Sequence, residues 1–348
     1  MAEIALVMIV KNEAPTLALT LESARAALGH GPTVIVDTGS TDDTIGVVER
    51  WAAQGYRPTK IYQRPFDDFS RSRNAALALA WKEAPSACMV DAGVVVRGTY
   101  RRHAYPATQV PSPETAEIRL GSLLYVRPQI LVPGWGYYGK VHEYAAGPGA
   151  LRPSGLTFAY ELKDEERGRR WVRDLALLED DFSPRGRFYY AQTLDLLGRR
   201  TQALKAYLER FEIHDTGYWQ ERVIAMIRAI PLAATWEDAE IYAQAALGLD
   251  GSRGEAWLAL CAWAERAQKW ATLYHYASQA IACVPRHGAL FVDVDREWRA
   301  NVYAGDALSS RGEYAAARAY WARALEVHGG RMSESDQAEL RLGLEITL

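Results

Sequence analysis

Three features are scarce in this chain of 348 residues, and each scarcity excludes a class of protein. There are only 3 cysteines, Cys88, Cys261 and Cys283. They are odd in number, far apart and without metal-ligand spacing, which excludes a disulfide scaffold and a zinc finger and points to free thiols in a reducing compartment. No apolar run approaches the ~18 residues that cross a bilayer, so no membrane partner is expected. Charge of one sign is not in excess: the formal net charge is -3, which gives no electrostatic drive toward nucleic acid or membrane for the chain as a whole. Local basic clusters do occur at Arg97, Arg101 and Arg102, at Arg167, Arg169, Arg170 and Arg173, and at Arg199 and Arg200. Each reads first as a solvated face. A Gly-x-Gly-x-x-Gly cradle is missing from the first strand–helix turn, which removes a dinucleotide dehydrogenase. The first ten residues carry Glu3, lead into Lys11-Asn12-Glu13 and offer no small-residue cleavage site, so they read as a strand and not as a signal peptide; the expected location is cytoplasmic.

What is present divides into two periodicities. Hydrophobic residues make up 49% of the chain, enough for ordinary cores, and the length suits two domains. Up to about residue 165, short apolar runs alternate with helical patterns. Strands are expected at residues 4–10, 33–36, 60–62 and 87–90, with helices at 16–28, 41–54 and 70–82 between them. Ser40 or Thr41 is placed to cap the second helix and Ser70 the third. This βαβαβαβ order predicts a mostly parallel, doubly wound α/β sheet whose ligands bind at the carboxyl ends of the strands. Lys11-Asn12-Glu13, Asp37-Thr38-Gly39-Ser40 and Asp91 all fall on that edge.

From about residue 170 the pattern is helical throughout. Aligning Ala203, Ala239, Leu273 and Ala317 as one position of successive hairpins gives steps of 36, 34 and 44 residues. The first two fit the ~34-residue tetratricopeptide period, and an insertion around Pro285 to Val294 accounts for the third. The expected division is residues 1–168 for the α/β domain and 169–348 for an all-α, tetratricopeptide-like domain. Such an array forms a concave surface for an extended partner, or stabilises its neighbour and makes a homo-oligomer.

Several motifs then occur in order: Met8-Ile-Val-Lys-Asn-Glu13, Val36-Asp-Thr-Gly-Ser-Thr-Asp42, Phe66-Asp-Asp-Phe-Ser-Arg-Ser-Arg-Asn74, Val90-Asp91, and Gly134-Trp135 through Val141-His142-Glu143. Together they resemble the donor and acceptor motifs of family 2 glycosyltransferases with the GT-A fold. Asp174-Leu-Ala-Leu-Leu178, Phe188-Tyr-Tyr-Ala-Gln192 and Leu290-Phe-Val292 to Trp298 resemble the helical-repeat extension of one bacterial and phage branch, and sublancin-type peptide S-glycosyltransferases share this layout. The resemblance implies a nucleoside-diphosphate sugar donor, with uridine as its nucleoside. It also implies direct displacement with inversion at the anomeric carbon.

Residue by residue, Asp37 is set to accept from the base's N–H, or else to close an Asx turn. Glu13 suits the ribose hydroxyls, or else the start of a helix. Arg73 heads a helix where its guanidinium would neutralise the diphosphate. Asp68 is a further donor contact, whereas Asn74 reads as structural. Glu143 is the expected general base for an acceptor hydroxyl or thiol, with His142 as alternative base, metal ligand or phosphate donor. Trp135, Tyr137 and Tyr138 form an aromatic patch suited to stacking on a sugar, or else to a core.

One departure from the family stands out. Its Asp-x-Asp triplet, which holds a divalent cation such as Mn or Mg against the diphosphate, is here Asp91-Ala92-Gly93, and no histidine lies near Phe158-Ala-Tyr160. Three alternatives stay open. Asp91 with His142 or Glu143 still holds a cation; Arg73, Lys140 or the Arg167–Arg170 cluster replaces it; or the domain is an inactive sugar-nucleotide scaffold. The acceptor is expected to be macromolecular: a peptide or protein, a glycan, or a hydroxymethylated base in phage DNA, the last requiring the arginine clusters to share one face.

Overall fold

The computed structural model describes residues 4–55, 59–101, 112–120, 123–160, 167–214, 219–286, 292–293, 295–328 and 332–346. The chain separates into two compact units, Met1–Leu178 and Glu179–Leu348.

In the first unit the continuous apolar run becomes strand β1 (Ala5–Val10), buried on both faces. Leu6, Met8 and Val10 join one core with Leu17 and Leu21 of helix α1 (Ala14–Leu28). Ala5 and Val7 join the opposite core with Ala76, Leu77 and Ala80 of α3 (Phe69–Ala80). A strand that feeds two cores by alternation is what a doubly wound sheet demands. Around it lie β2 (Thr33–Asp37), α2 (Thr44–Ala52), β3 (Thr59–Gln63), β4 (Ala87–Met89) and β5 (Val94–Arg97). Next come β6 (Glu114–Leu120), β7 (Leu123–Leu131), β8 (Gly136–Tyr138), β9 (Tyr144–Ala146), β10 (Arg152–Tyr160) and α4 (Arg167–Leu178).

The main sheet runs β3-β2-β1-β4-β7-β6-β10-β5, with β8 and β9 as a separate hairpin. β3, β2, β1 and β4 are mutually parallel, and β6 pairs in parallel with β10. β7 runs antiparallel to β4 and β6, and β5 to β10. The parallel block therefore carries the loops after β1, β2 and β4 on one edge, as the βαβ order requires.

Two cap assignments are corrected. α3 is capped by Asp68, whose carboxylate accepts from Arg71 N at 2.7 Å, and not by Ser70. α2 begins at Thr44 behind Asp43 with no side-chain cap, because Ser40 and Thr41 are engaged elsewhere. Asn12 N donates to Ser40 Oγ at 3.0 Å, and Thr41 N donates to Asn12 Oδ1 at 2.7 Å. These bonds lace the loop after β1 to the loop after β2, and Asn12 adopts φ 57 to make them.

The second unit contains α5 (Pro184–Leu196), α6 (Arg200–Glu212), α7 (Trp219–Ala229), a short 3-10 turn at Ile230–Leu232, α8 (Trp236–Leu249), α9 (Gly254–Arg266) and α10 (Trp270–Ala282). It ends with α11 (Arg296–Ser309), α12 (Tyr314–His328) and α13 (Glu334–Ile346). Ala203, Ala239, Leu273 and Ala317 occupy the same fourth position of α6, α8, α10 and α12, and each is fully buried. The aligned register is thus a packing register, and the unit is a stack of tetratricopeptide-like hairpins.

Three hairpin turns share one device. Gly198, Gln268 and Gly312 take left-handed φ of 73, 54 and 79. The next amide in each turn reaches back at 2.9 Å, from Arg199 to Leu194 O, Lys269 to Ala264 O and Glu313 to Leu308 O. That is the Schellman closure, and Gln268 shows that a side chain is tolerated at it. The long third step corresponds to the connection from α10 to α11; Leu290 and Phe291, which belong to it, lie outside the described residues. The unit boundary at Leu178 falls later than the change of period at 168, and α4 belongs with the α/β unit, where the Arg173 guanidinium stacks 4.8 Å over Phe69. No helix among the described residues is long and apolar enough to cross a membrane.

Candidate active site

The loops after β1, β2 and β4 bring Glu13, Asp37 and Asp91 to one edge of the parallel block. Arg73, in the first turns of α3, reaches into the same edge. Its side chain is 9% exposed and forms two ion pairs, Nη2 to Asp91 Oδ1 and Nε to Glu143 Oε1, each at 2.6 Å. The guanidinium also lies over the Tyr137 ring, 5.4 Å from its centre. An arginine fork is what this geometry requires, because a lysine ammonium on one stem tip does not present two separated donors in one plane.

Asp91 is held from a third side. Its Oδ2 accepts from Tyr160 Oη at 2.9 Å, Arg127 Nη2 stands 3.8 Å away, and Arg127 in turn donates to Tyr160 Oη at 2.6 Å. Burial alone would raise the Asp91 carboxyl, but Arg73 and then Arg127 outweigh it and hold the group below the usual carboxylate range. Burial would likewise lower Arg73, and the charges of Asp91 and Glu143 drive it above its ordinary value instead. The Tyr160 and Tyr137 phenols are both pushed up, by burial first and then, for Tyr160, by the neighbouring Asp91 charge. Both stay neutral donors at physiological pH.

Arg127 on β7 and Tyr160 on β10 escape the sequence reading. Tyr160 occupies the segment in which the family pattern places a histidine, and it supplies a hydrogen-bond donor to Asp91. The available signal for Arg127 was a charge inside the apolar strand Leu123–Leu131.

Asn74 is structural, as expected. It bonds the backbone of Tyr137 twice, Nδ2 to the carbonyl at 2.9 Å and Oδ1 from the amide at 2.7 Å. Phe69 N donates to Lys140 O at 3.3 Å. One face of α3 therefore carries the β8–β9 hairpin and presents Glu143 to Arg73.

Other expected residues have local duties. Asp37 is buried, and its carboxylate accepts from Ser40 N at 3.1 and 3.3 Å and from Ser40 Oγ at 2.5 Å, closing an Asx turn at the strand end. Glu13 sits half-buried at the start of α1; its amide donates to Thr44 Oγ1 at 2.7 Å and its Oε2 accepts from Thr16 Oγ1 at 3.3 Å. Asp68 is buried and caps α3, with Ser70 Oγ at 2.9 Å as a second partner. Of the aromatic patch, Trp135 and Tyr137 belong to the core and Trp135 Nε1 is bound to Pro148 O at 2.7 Å. Only Tyr138 is exposed, facing Tyr144 with ring centres 5.8 Å apart. The exposed aromatic face here is Tyr138 with Tyr144 beside it, while Trp135 and Tyr137 are packed into the core. His142 is exposed with φ 52, on the short loop leading into β9. Of the basic clusters, Arg97 and Arg101 are exposed, Arg173 pairs with Asp174, and Arg102 lies outside the described residues, as do the side chains of Arg167 and Arg169.

These groups do not fit a divalent cation. Both Asp91 oxygens are bonded to Arg73 and Tyr160, a second guanidinium is close by, and Gly93 supplies no side-chain oxygen. Among the described residues, no three His, Cys, Asp or Glu side chains come together as ligands. A hard cation at a diphosphate is held by one or two carboxylates together with waters and phosphate oxygens, and here the Asp91 carboxylate is taken up by Arg73 and Tyr160.

Residues 5–86 match the family model described as Glycosyl transferase family 2. The chain therefore carries a family 2 glycosyltransferase domain at its N-terminus, and the matched segment contains Glu13, Asp37, Asp68 and Arg73. No curated protein matches the chain. Similar solved structures include BtubC from P. vanneervenii, at 14% identity and TM-score 0.38 over 47% of this chain and 73% of that one. MamA from Desulfovibrio magneticus RS-1 aligns at 12% and 0.36 over 47% and 93%. The thermophilic TPR protein TTC0263 of Thermus thermophilus aligns at 16% and 0.31 over 51% and 91%.

Proposed function

We propose that the chain transfers a sugar from a nucleoside-diphosphate sugar, with uridine as the nucleoside, to a hydroxyl or thiol of a macromolecular acceptor, with inversion at the anomeric carbon. The observation that carries this reading is the Asp91–Arg73–Glu143 array on the ligand-binding edge of a family 2 glycosyltransferase domain.

In this reading Glu13 and Asp37 receive the ribose and base. The diphosphate takes donors of Arg73, so that the guanidinium exchanges one carboxylate partner for phosphate oxygens. Glu143, released from Arg73, then accepts the proton of the acceptor as its oxygen or sulfur attacks the anomeric carbon. The bond from that carbon to the diphosphate oxygen breaks on the opposite side, and the nucleoside diphosphate leaves with its charge facing Arg73 and Arg127. Tyr138 and Tyr144 offer the exposed aromatic face for a sugar ring. No step in this scheme uses a cation.

Transfer and donor hydrolysis should be assayed across uridine, guanosine and cytidine diphosphate sugars, with EDTA and with added manganese. Turnover that resists EDTA supports the arginine reading. Turnover lost in EDTA and restored by manganese overturns its cation-free part. No turnover with any donor, with nucleotide binding retained, favours the second reading: a sugar-nucleotide-binding scaffold, whose specific support is Gly93 in place of a carboxylate.

A further inference from the structure

The last hairpin and the helix that follows it line a half-open cavity of about 320 Å³ in the second unit. That volume lies in the range of small-ligand pockets. Its walls are apolar and aromatic: Trp298 and Val302 from α11, Trp321 from α12, and Met332 and Leu340 beside and on α13. Its ionisable lining is entirely acidic, Asp306, Asp336 and Glu339, and no Lys, Arg or His lines it among the described residues.

The floor is shaped by two glycines. A Cβ at Gly305 would lie 2.3 Å from Trp321 Nε1, and one at Gly343 would lie 3.2 Å from Trp321 Cζ3. Together they make the room that seats this indole, and its Nε1 donates to Asp306 Oδ1 at 2.9 Å. Asp306 has no ion-pair partner among the described residues; the charges that act on it are those of Glu265 and Glu339, both of its own sign. The Trp298 indole N–H is buried and bonded to nothing among the described residues, and the outer approach to this ring already carries a guanidinium, Arg299, at 5.4 Å.

A packed end-cap has no use for a half-buried carboxylate facing two others across a void. Filling the space with apolar side chains would cost less, since an uncompensated acid is among the expensive things to bury. Aromatic walls with a carboxylate floor and an acidic rim are complementary to one chemistry. A cation on an apolar stem gains ring contacts along the stem, cation–π attraction at the head and ion pairs to the acids.

We propose that this cavity binds an organic cation, an alkylammonium or guanidinium group, with Asp306 as the buried counter-charge and Asp336 and Glu339 as the rim. The site is independent of the sugar-transfer reading. It serves either the basic side chain of a polypeptide or a free polyamine, which share this chemistry.

The test is calorimetric titration of the full chain with N-acetylarginine amide, N-acetyllysine amide and spermidine, with N-acetylleucine amide as the neutral control. At least one cation should bind, and the neutral control should bind about tenfold or more weakly. Which cation binds best assigns the source. The exposed double variant Asp336→Asn with Glu339→Gln leaves the packing intact and should weaken binding several-fold, and Asp306→Asn, which keeps an acceptor for Trp321, about tenfold. The proposal is overturned if the neutral control binds equally, if no cation binds at about 10 mM, or if both variants leave the affinity unchanged.

Discussion

Replacing Arg73 by methionine isolates the physics on which the candidate active site rests. The change keeps most of the stem and deletes a guanidinium that is 9% exposed and bridges Asp91 and Glu143 at 2.6 Å each. Both carboxylates are then left half-buried without their main partner. Removing one member of such a pair costs about 3–5 kcal/mol, most of it the penalty of the stranded charge. Because the chain has two compact units, global unfolding is not a two-state observable, and hydrogen exchange of the α3 and β4 amides is the suitable local measure. The acid dependence sharpens the test. Asp91 has a lowered folded pKa, so its contribution is present above its ordinary value of 3.8 and disappears as pH falls through the lowered one. The deficit of the Arg73→Met variant should therefore be largest near neutrality and shrink below about pH 4. Adding Asp91→Asn and Glu143→Gln to the same variant should recover much of the loss. A deficit under about 1 kcal/mol, one that does not change with pH, or a triple variant no better than the single one would refute the reasoning.

Three further outcomes follow from single contacts. Asn74→Ala breaks both bonds to the Tyr137 backbone and should cost about 2–3 kcal/mol, seen as faster exchange of the Tyr137 amide, together with loss of transfer because the hairpin leading to Glu143 loosens. Asp306→Asn should stabilise the second unit at neutral pH. Burial, with Glu265 and Glu339, raises Asp306 from 3.8 to about 6, so the unfolded chain ionises first and the native state loses up to about 3 kcal/mol by pH 7. The gain should vanish in melts below about pH 3, where both states are protonated. Gly93→Ala meets no atom within 4 Å but must adopt φ +79, and should cost about 1–2 kcal/mol by backbone strain alone.

The parts of the molecule that were legible in the sequence are those set by periodicity. The run from Ile4 to Val10 is buried on both faces because it feeds two cores, and that requirement is written in uninterrupted apolar residues. The hairpin register of Ala203, Ala239, Leu273 and Ala317 was legible because close helix crossings admit few side chains there. Arg73 and Glu143 were each singled out as candidates, but their mutual pairing was not, since contact between residues so far apart in sequence leaves no local trace. Asp68 and Asp37 illustrate a different difficulty. An aspartate at a strand end or helix start suits a ligand and a turn equally, and only coordinates show that Asp68 caps α3 and Asp37 holds Ser40. Tyr160 and Arg127 went unseen because a tyrosine and an arginine on strands are ordinary until a carboxylate is placed beside them.

Gly93 ties the local backbone to the proposed chemistry. The turn from β4 to β5 places it at φ +79, with its amide bonded to Thr20 Oγ1 at 3.0 Å, and open space surrounds the position of a Cβ. Steric exclusion therefore does not explain the missing carboxylate; the left-handed turn itself favours glycine, and aspartate is among the side chains that tolerate it best. The loss is one of ligand charge, and it coincides with two guanidinium groups already gathered on Asp91. Guanidinium stays protonated far beyond physiological pH, so counter-charge of this kind is not removed by chelators and does not vary with divalent cation supply. What it does respond to is competition from anions. In the proposed reading, donor affinity should fall as phosphate or sulfate is raised and stay level across manganese concentrations, and the reverse pattern would return the diphosphate to a cation.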